Sequence, residues 1–154
     1  MTSVALVSAG HCVGGWNFHL QFTPAYRRPV FQDAEVKRVC QSEAQSIAAR
    51  LGVELAASEF GPNHWHLFVT GAKNYSAPQL ARRFKGATSH AIRSSCAERV
   101  RKWLWGDHFW SHGYFAETVG RVTSETVKFY IERQQRKHWI KPQRDVSVQT
   151  QLSA

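Results

Sequence analysis

From residue 16 to residue 22, large apolar and polar side chains alternate: Trp16, Phe18, Leu20 and Phe22 fall on one parity, Asn17, His19 and Gln21 on the other. A period of two belongs to a strand with one face buried, so the segment predicts a half-buried strand whose polar face carries a histidine and two amides. The period then lengthens. Asp33 is placed to cap a helix in which Val36, Val39, Cys40, Ala44, Ile47 and Leu51 share one side, and Gly52 ends it. Two short strands follow at about 53–60 and 64–70, joined by the turn formers Gly61, Pro62 and Asn63 as a hairpin. Ser76 and Pro78 open a second helix with Leu80, Phe84, Ala87 and Ala91 on its apolar side. An irregular aromatic stretch spans 103–110, a fourth alternating strand 113–120, and a last helix runs from about 123 to 138.

The order β-α-β-β-α-β with an added helix predicts an α+β fold, a ferredoxin-like or RRM-like, mostly antiparallel sheet with two helices on one face. The appended helix is then free to lie across the other face. A chain of 154 residues, 43% of them hydrophobic, sustains one core. The expected organisation is an N-terminal extension at 1–15, one domain at 16–139 and a polar tail at 140–154. No apolar run approaches the roughly 20 residues of a membrane span, and residues 1–15 lack the pattern of a secretion signal. A cytoplasmic protein with no membrane partner is expected. The three cysteines, Cys12, Cys40 and Cys96, are scattered and odd in number, and read as reduced packing residues.

Charge narrows the choice of partner. Twenty Lys and Arg against eleven Asp and Glu leave a formal net charge of +9, which draws polyanions by long-range attraction and counterion release. Arg27 and Arg28 in the first loop, Arg82, Arg83, Lys85 and Arg93 on the second helix, and Arg133, Arg136 and Lys137 late in the last one are candidates for following a phosphate backbone. Exposed aromatic rings could stack on unpaired bases, although Trp103, Trp105 and Trp110 fit core packing better.

Candidate chemistry sits on the third predicted strand. Residues two apart on a strand share a face, so His64 and His66 stand side by side, close enough to hold one metal ion, while Trp65 points into packing. By itself the spacing fits two surface histidines as well. On the last helix Tyr130 and Gln134 lie four apart and stack on one face.

Taken in order, FTPAYRR at 22–28, HWH at 64–66, FKGATS at 84–89, LWGDHFW at 104–110 with GYF at 113–115, and YIERQ at 130–134 resemble the single-tyrosine HUH transposases, the TnpA-like family of small insertion sequences. The resemblance spans about 16–135. One departure is Asn63, where that family commonly has an acidic residue before the first histidine.

The resemblance implies that Tyr130 attacks a phosphodiester of single-stranded DNA, forming a 5′-phosphotyrosyl link and releasing a 3′-hydroxyl. It also implies hairpin-bearing DNA ends and a homodimer in which Tyr130 of one subunit can complete the site of the other. A phenol, with an ordinary pKa of about 10, is a weak nucleophile at neutral pH, so the phosphate must be made more electrophilic. Mg²⁺ or Mn²⁺ held by His64, His66 and the amide oxygen of Gln134 would do this, with Mn²⁺ the tighter binder because it accepts imidazole more readily. Phosphodiester exchange conserves bond energy, and the chain has no phosphate-cradling GxxxxGK[ST] motif, so no nucleotide cofactor is expected. Rival readings are a domesticated relative that processes palindromes, a non-catalytic nucleic-acid-binding module, and a zinc hydrolase. The last lacks a carboxylate at motif spacing.

Overall fold

In a computed structural model of the chain, which describes residues 7–9, 12–104 and 106–139, the expected βαββαβ order is present. An antiparallel ribbon of β1 (Val7–Ala9) and β2 (Cys12–Gly14), which the hydrophobic pattern did not announce, precedes it. The main sheet holds β3 (Asn17–Phe22), β4 (Glu54–Gly61), β5 (His64–Thr70) and β6 (Phe115–Val119) in the order β4-β5-β3-β6, every pair antiparallel. This is the ferredoxin-like arrangement. Trp105, the tail 140–154 and the side chains of Cys12, Arg136 and Lys137 lie outside the described residues.

The two long helices form where the caps placed them. α1 (Ala34–Leu51) begins at Asp33, whose carboxylate accepts from the backbone N–H of Glu35 at 2.9 Å and Val36 at 3.2 Å. It ends at Gly52, whose φ of 69° is the left-handed conformation that glycine adopts without a Cβ penalty. α2 (Ala77–Ser95) opens with a reciprocal capping box between Ser76 and Gln79. Both lay their apolar faces on one side of the sheet, where Leu20, Phe22, Trp65, Leu67 and Val69 meet Val36, Cys40, Leu80, Phe84 and Ile92 in a single core. Trp65 lies between Phe60 and Trp110, with ring centroids 5.1 and 5.9 Å away. Cys40 and Cys96 are buried free thiols, as expected of packing cysteines.

A short α3 (Ala97–Val100) leads into the aromatic stretch. That stretch is irregular but pinned: Ala25 N–H donates to Phe109 O at 2.8 Å, Ser111 N–H to Thr23 O at 2.9 Å, and the Trp110 indole N–H to Thr88 Oγ1 at 3.0 Å. Trp110 is buried as anticipated, and Trp103 is half-buried against the core. In the facing loop Tyr26 and Arg27 both carry positive φ, 57° and 53°, a conformation that costs a non-glycine residue about 1–3 kcal/mol and persists only when its surroundings enforce it.

α4 (Ser124–Trp139) crosses the opposite face of the sheet, where Val122, Val127, Tyr130 and Ile131 pack around Phe68. This cover changes one expectation. β3 is not half-buried: Asn17, His19 and Gln21 on its polar side are buried, as are Leu20 and Phe22 on the other. Buried polar groups need partners, and those partners build the site. Among the described residues no helix is long and apolar enough to cross a membrane.

Candidate active site

Strand register decides which side chains meet under α4. Gln21 faces His66, His19 faces Phe68 on one side and Glu117 on the other, and Gly61 faces His64. Three strands therefore contribute to one surface: alternation put His19 with Gln21 and His64 with His66, and the register joins the two pairs. Glu117 joins through β6, which the pattern alone did not connect to it.

The bonds within this surface fix which atoms carry protons. The Arg133 guanidinium donates to Glu117 Oε2, and Glu117 Oε1 lies 3.0 Å from His19 Nδ1. Burial pushes the Glu117 carboxyl up, but the hydrogen bonds from His19 and Arg133, with their charge, outweigh it and hold it below the ordinary glutamate value. The group is a carboxylate and can only accept. His19 must then hold its proton on Nδ1. Burial lowers the His19 pKa despite Glu117 beside it, so the ring is neutral and its Nε2 accepts. The partner of that Nε2, at 2.8 Å, is His66 Nδ1, which must be the donor. The lone pair of His66 accordingly sits on Nε2.

His64 reaches the same state by a shorter route. Asn63 Oδ1 accepts from its Nδ1 at 3.0 Å, leaving the ring lone pair on Nε2. The amide at position 63 thus performs the orienting task open to an acidic residue there. The two rings lie 5.1 Å apart, nearly perpendicular. His64 rests directly over its cross-strand partner: a Cβ built on Gly61 would come within 2.1 Å of the imidazole. Gly61, read from the sequence only as a turn former, is needed for this close approach. Gly61→Ala should leave the fold intact, because the exposed edge of His64 can rotate away, while lowering Mn²⁺ affinity. Titration calorimetry beside a thermal melt separates the two effects.

Both histidines line a cleft of about 450 Å³ together with Gln21, Thr23, Arg27, Asn63 and Gln135. The Tyr130 ring, which is not among the lining residues, lies 6.1 Å from the His19 ring and 6.4 Å from Phe68, over its own chain's sheet. The Arg133 guanidinium sits 5.1 Å from the Tyr130 ring centroid while holding Glu117, so one side chain ties the tyrosine's helix to the histidine chain. Gln134 is buried one turn beyond Tyr130, and Gln135, not singled out in the sequence, is the α4 amide among the residues that line the cleft.

Of the basic residues, Arg27 lines the cleft and Arg28 an adjoining pocket. Arg82 and Arg83 are exposed on α2. Lys85 is half-buried, its Nζ 2.8 Å from Ser111 O and 3.2 Å from His112 O, so it braces the aromatic loop, and burial lowers its pKa. Arg93 donates to Asp107 O at 3.1 Å and braces the same loop. Arg133 points into the site.

The donor set fits a divalent cation. Among the described residues no three His, Cys, Asp or Glu side chains converge as a metal site. What converges is a pair of imidazoles with their Nδ1 atoms engaged and lone pairs on Nε2, beside glutamine amides: neutral ligands that leave an ion's charge undiminished. His66 is buried and held by His19, the outer-partner arrangement common to metal-bound histidines.

This fold is that of known transposases. A putative transposase from Deinococcus radiodurans superposes with a TM-score of 0.67 at 27% identity, covering 84% of this chain and 98% of that one. A REP-associated tyrosine transposase bound to a REP hairpin shares the fold at TM-score 0.55 and 17% identity, with 88% and 74% covered. The family profile described as Transposase IS200 like matches residues 12–134, and the chain belongs to that family. The ISDra2 transposase TnpA of Deinococcus radiodurans is 29% identical over 117 residues, 76% of this chain and 82% of that protein. The transposase for insertion sequence element IS200 of Salmonella typhimurium is 26% identical over 121 residues, 77% and 78% of the respective chains. The protein is a DNA transposase, an enzyme that cuts DNA.

Proposed function

We propose that this transposase cuts and rejoins single-stranded DNA at hairpin-marked ends, with Tyr130 as nucleophile and His64, His66 and Gln134 holding Mg²⁺ or Mn²⁺. The observation that supports the reading is the hydrogen-bonded chain from the half-buried Arg133 and Glu117 to the buried His19 and His66, which holds one imidazole at the cleft while its first member also braces the tyrosine. A histidine held this way has a defined lone pair and little rotational freedom, which a surface histidine does not need.

The tyrosine oxygen bonds to phosphorus as the bond from phosphorus to the departing 3′-oxygen breaks. The phenolic proton passes to solvent, and the 3′-oxygen leaves as a hydroxyl. One phosphoester replaces another, so the reverse step rejoins a strand without a nucleotide cofactor. A bound divalent ion supplies Lewis acidity to the phosphoryl oxygens. Arg27, at the cleft, is placed to bind a phosphate, as a planar guanidinium does well. The remaining arginines with Lys85 are proposed to contribute non-specific attraction more than contacts at the break.

The enzyme is proposed to work as a homodimer, with Phe129 on the exposed side of α4 available for subunit contact. We propose that Tyr130 serves the histidines of its own chain, a reading supported by the packing of α4 over that chain's sheet, where the Tyr130 ring meets His19 and Phe68. Incubation with an end-labelled hairpin oligonucleotide and Mn²⁺ should give a denaturation-resistant protein–DNA adduct, and a fully paired duplex should not. If no hairpin substrate ever gives an adduct, a non-catalytic binding module becomes the better reading. Glu117→Gln, which removes the charge anchoring Arg133 and His19, should weaken Mn²⁺ binding by about 10- to 100-fold. The free-Mn²⁺ resonance signal reads this without any DNA.

A further inference from the structure

The segment Tyr26, Arg27, Arg28 divides two cavities. Arg27 lines the histidine cleft, whereas Tyr26 and Arg28 line a second pocket of about 390 Å³ on its other side, with Trp103 and Trp110. Tyr26 and Arg27 in this segment both carry positive φ. Tyr26 is 88% exposed, so its ring earns nothing from the core in return for that backbone. Strain of this kind clusters at active sites and ligand clamps.

We propose that this pocket takes one unpaired nucleobase of the DNA strand whose phosphate lies in the histidine cleft. The inference rests on the proposed reading of that cleft as the cleavage site. The chemistry separates a base from a phosphate. The exposed Tyr26 ring and the half-buried Trp103 offer stacking surface that a phosphate cannot use, and Arg28 and Asp107 are among the polar residues lining the pocket. His108 and His112, whose rings lie 4.9 Å apart and 63° from parallel, also line it. The walls are formed in advance: the loop carrying Tyr26 and the loop carrying Trp110 are joined by the Pro24–Trp110 bridge and by Ala25 N–H to Phe109 O. Because one three-residue segment faces both cavities, a single strand can place a phosphate against Arg27 and a neighbouring base against Tyr26.

The test uses a fluorescein-labelled hairpin oligonucleotide with a single-stranded flank and a series in which one abasic site moves through that flank, each keeping its phosphates. Affinity is read by anisotropy for the wild type, Tyr26→Ala and Trp103→Leu. For the wild type one abasic position should lose about ten- to a hundred-fold in affinity. Each variant should lose affinity for the intact strand and be insensitive to that position, so that the losses do not add. Fully additive losses at every position, or unchanged affinity in both variants, would overturn the proposal. Adduct formation by the wild type is read in parallel. Absence of adduct with the non-additivity intact leaves the pocket standing and removes the cleavage reading, and an adduct with additive losses does the reverse.

Discussion

Tyr130→Phe abolishes adduct formation, a fall of at least about three orders of magnitude of the size seen when a covalent nucleophile is deleted, and leaves DNA affinity in place. The substitution removes one oxygen and nothing else. The ring keeps its contacts with His19 and Phe68, and Arg133 keeps its hold on Glu117, so neither α4 nor the cleft has reason to move. A gel under denaturing conditions reads the adduct and anisotropy reads binding. Loss of both together would mean that the tyrosine supports the helix and is not the attacking group.

His66→Ala is expected to be nearly as damaging to activity and far more damaging to metal binding. It removes one proposed ligand and leaves His19 Nε2, buried and accepting, with no donor in its place. The loss in Mn²⁺ affinity should exceed the roughly 10- to 100-fold expected when only an outer partner such as Glu117 is changed. Stability should fall too, by about 1–3 kcal/mol for the unsatisfied acceptor, and a thermal melt without metal isolates that part. If Mn²⁺ affinity is unchanged in His66→Ala, the histidine pair is not the metal site.

Much of this site could be read from periodicity. Alternation along residues 64–70 puts His64 and His66 on one face and Trp65 on the other, and the fold follows from caps and turns that act within a few residues. What escaped is long-range. Glu117 lies 98 residues from His19, and only the β3–β6 register makes them partners. The burial of the polar side of β3 depends on where α4 lands, which no local pattern specifies. Gly61 looked like a turn residue because the reason for it is a ring on the neighbouring strand. Lys85 and Arg93, grouped with the phosphate contacts on charge alone, turn out to hold loop carbonyls, and Arg133 turns inward to a carboxylate. Residue type told the charge of each but not its partner. Tyr26 and Arg27 adopt a conformation that their side chains disfavour, so local preference points away from the structure that forms.

The account turns on which oxygen receives the phosphate. Trapping the adduct, trimming its DNA with nuclease and digesting with trypsin should leave a nucleotide on the peptide 129–133, with fragmentation placing it on Tyr130. A nucleotide found instead on Tyr26, Tyr75 or Tyr114 would contradict the account.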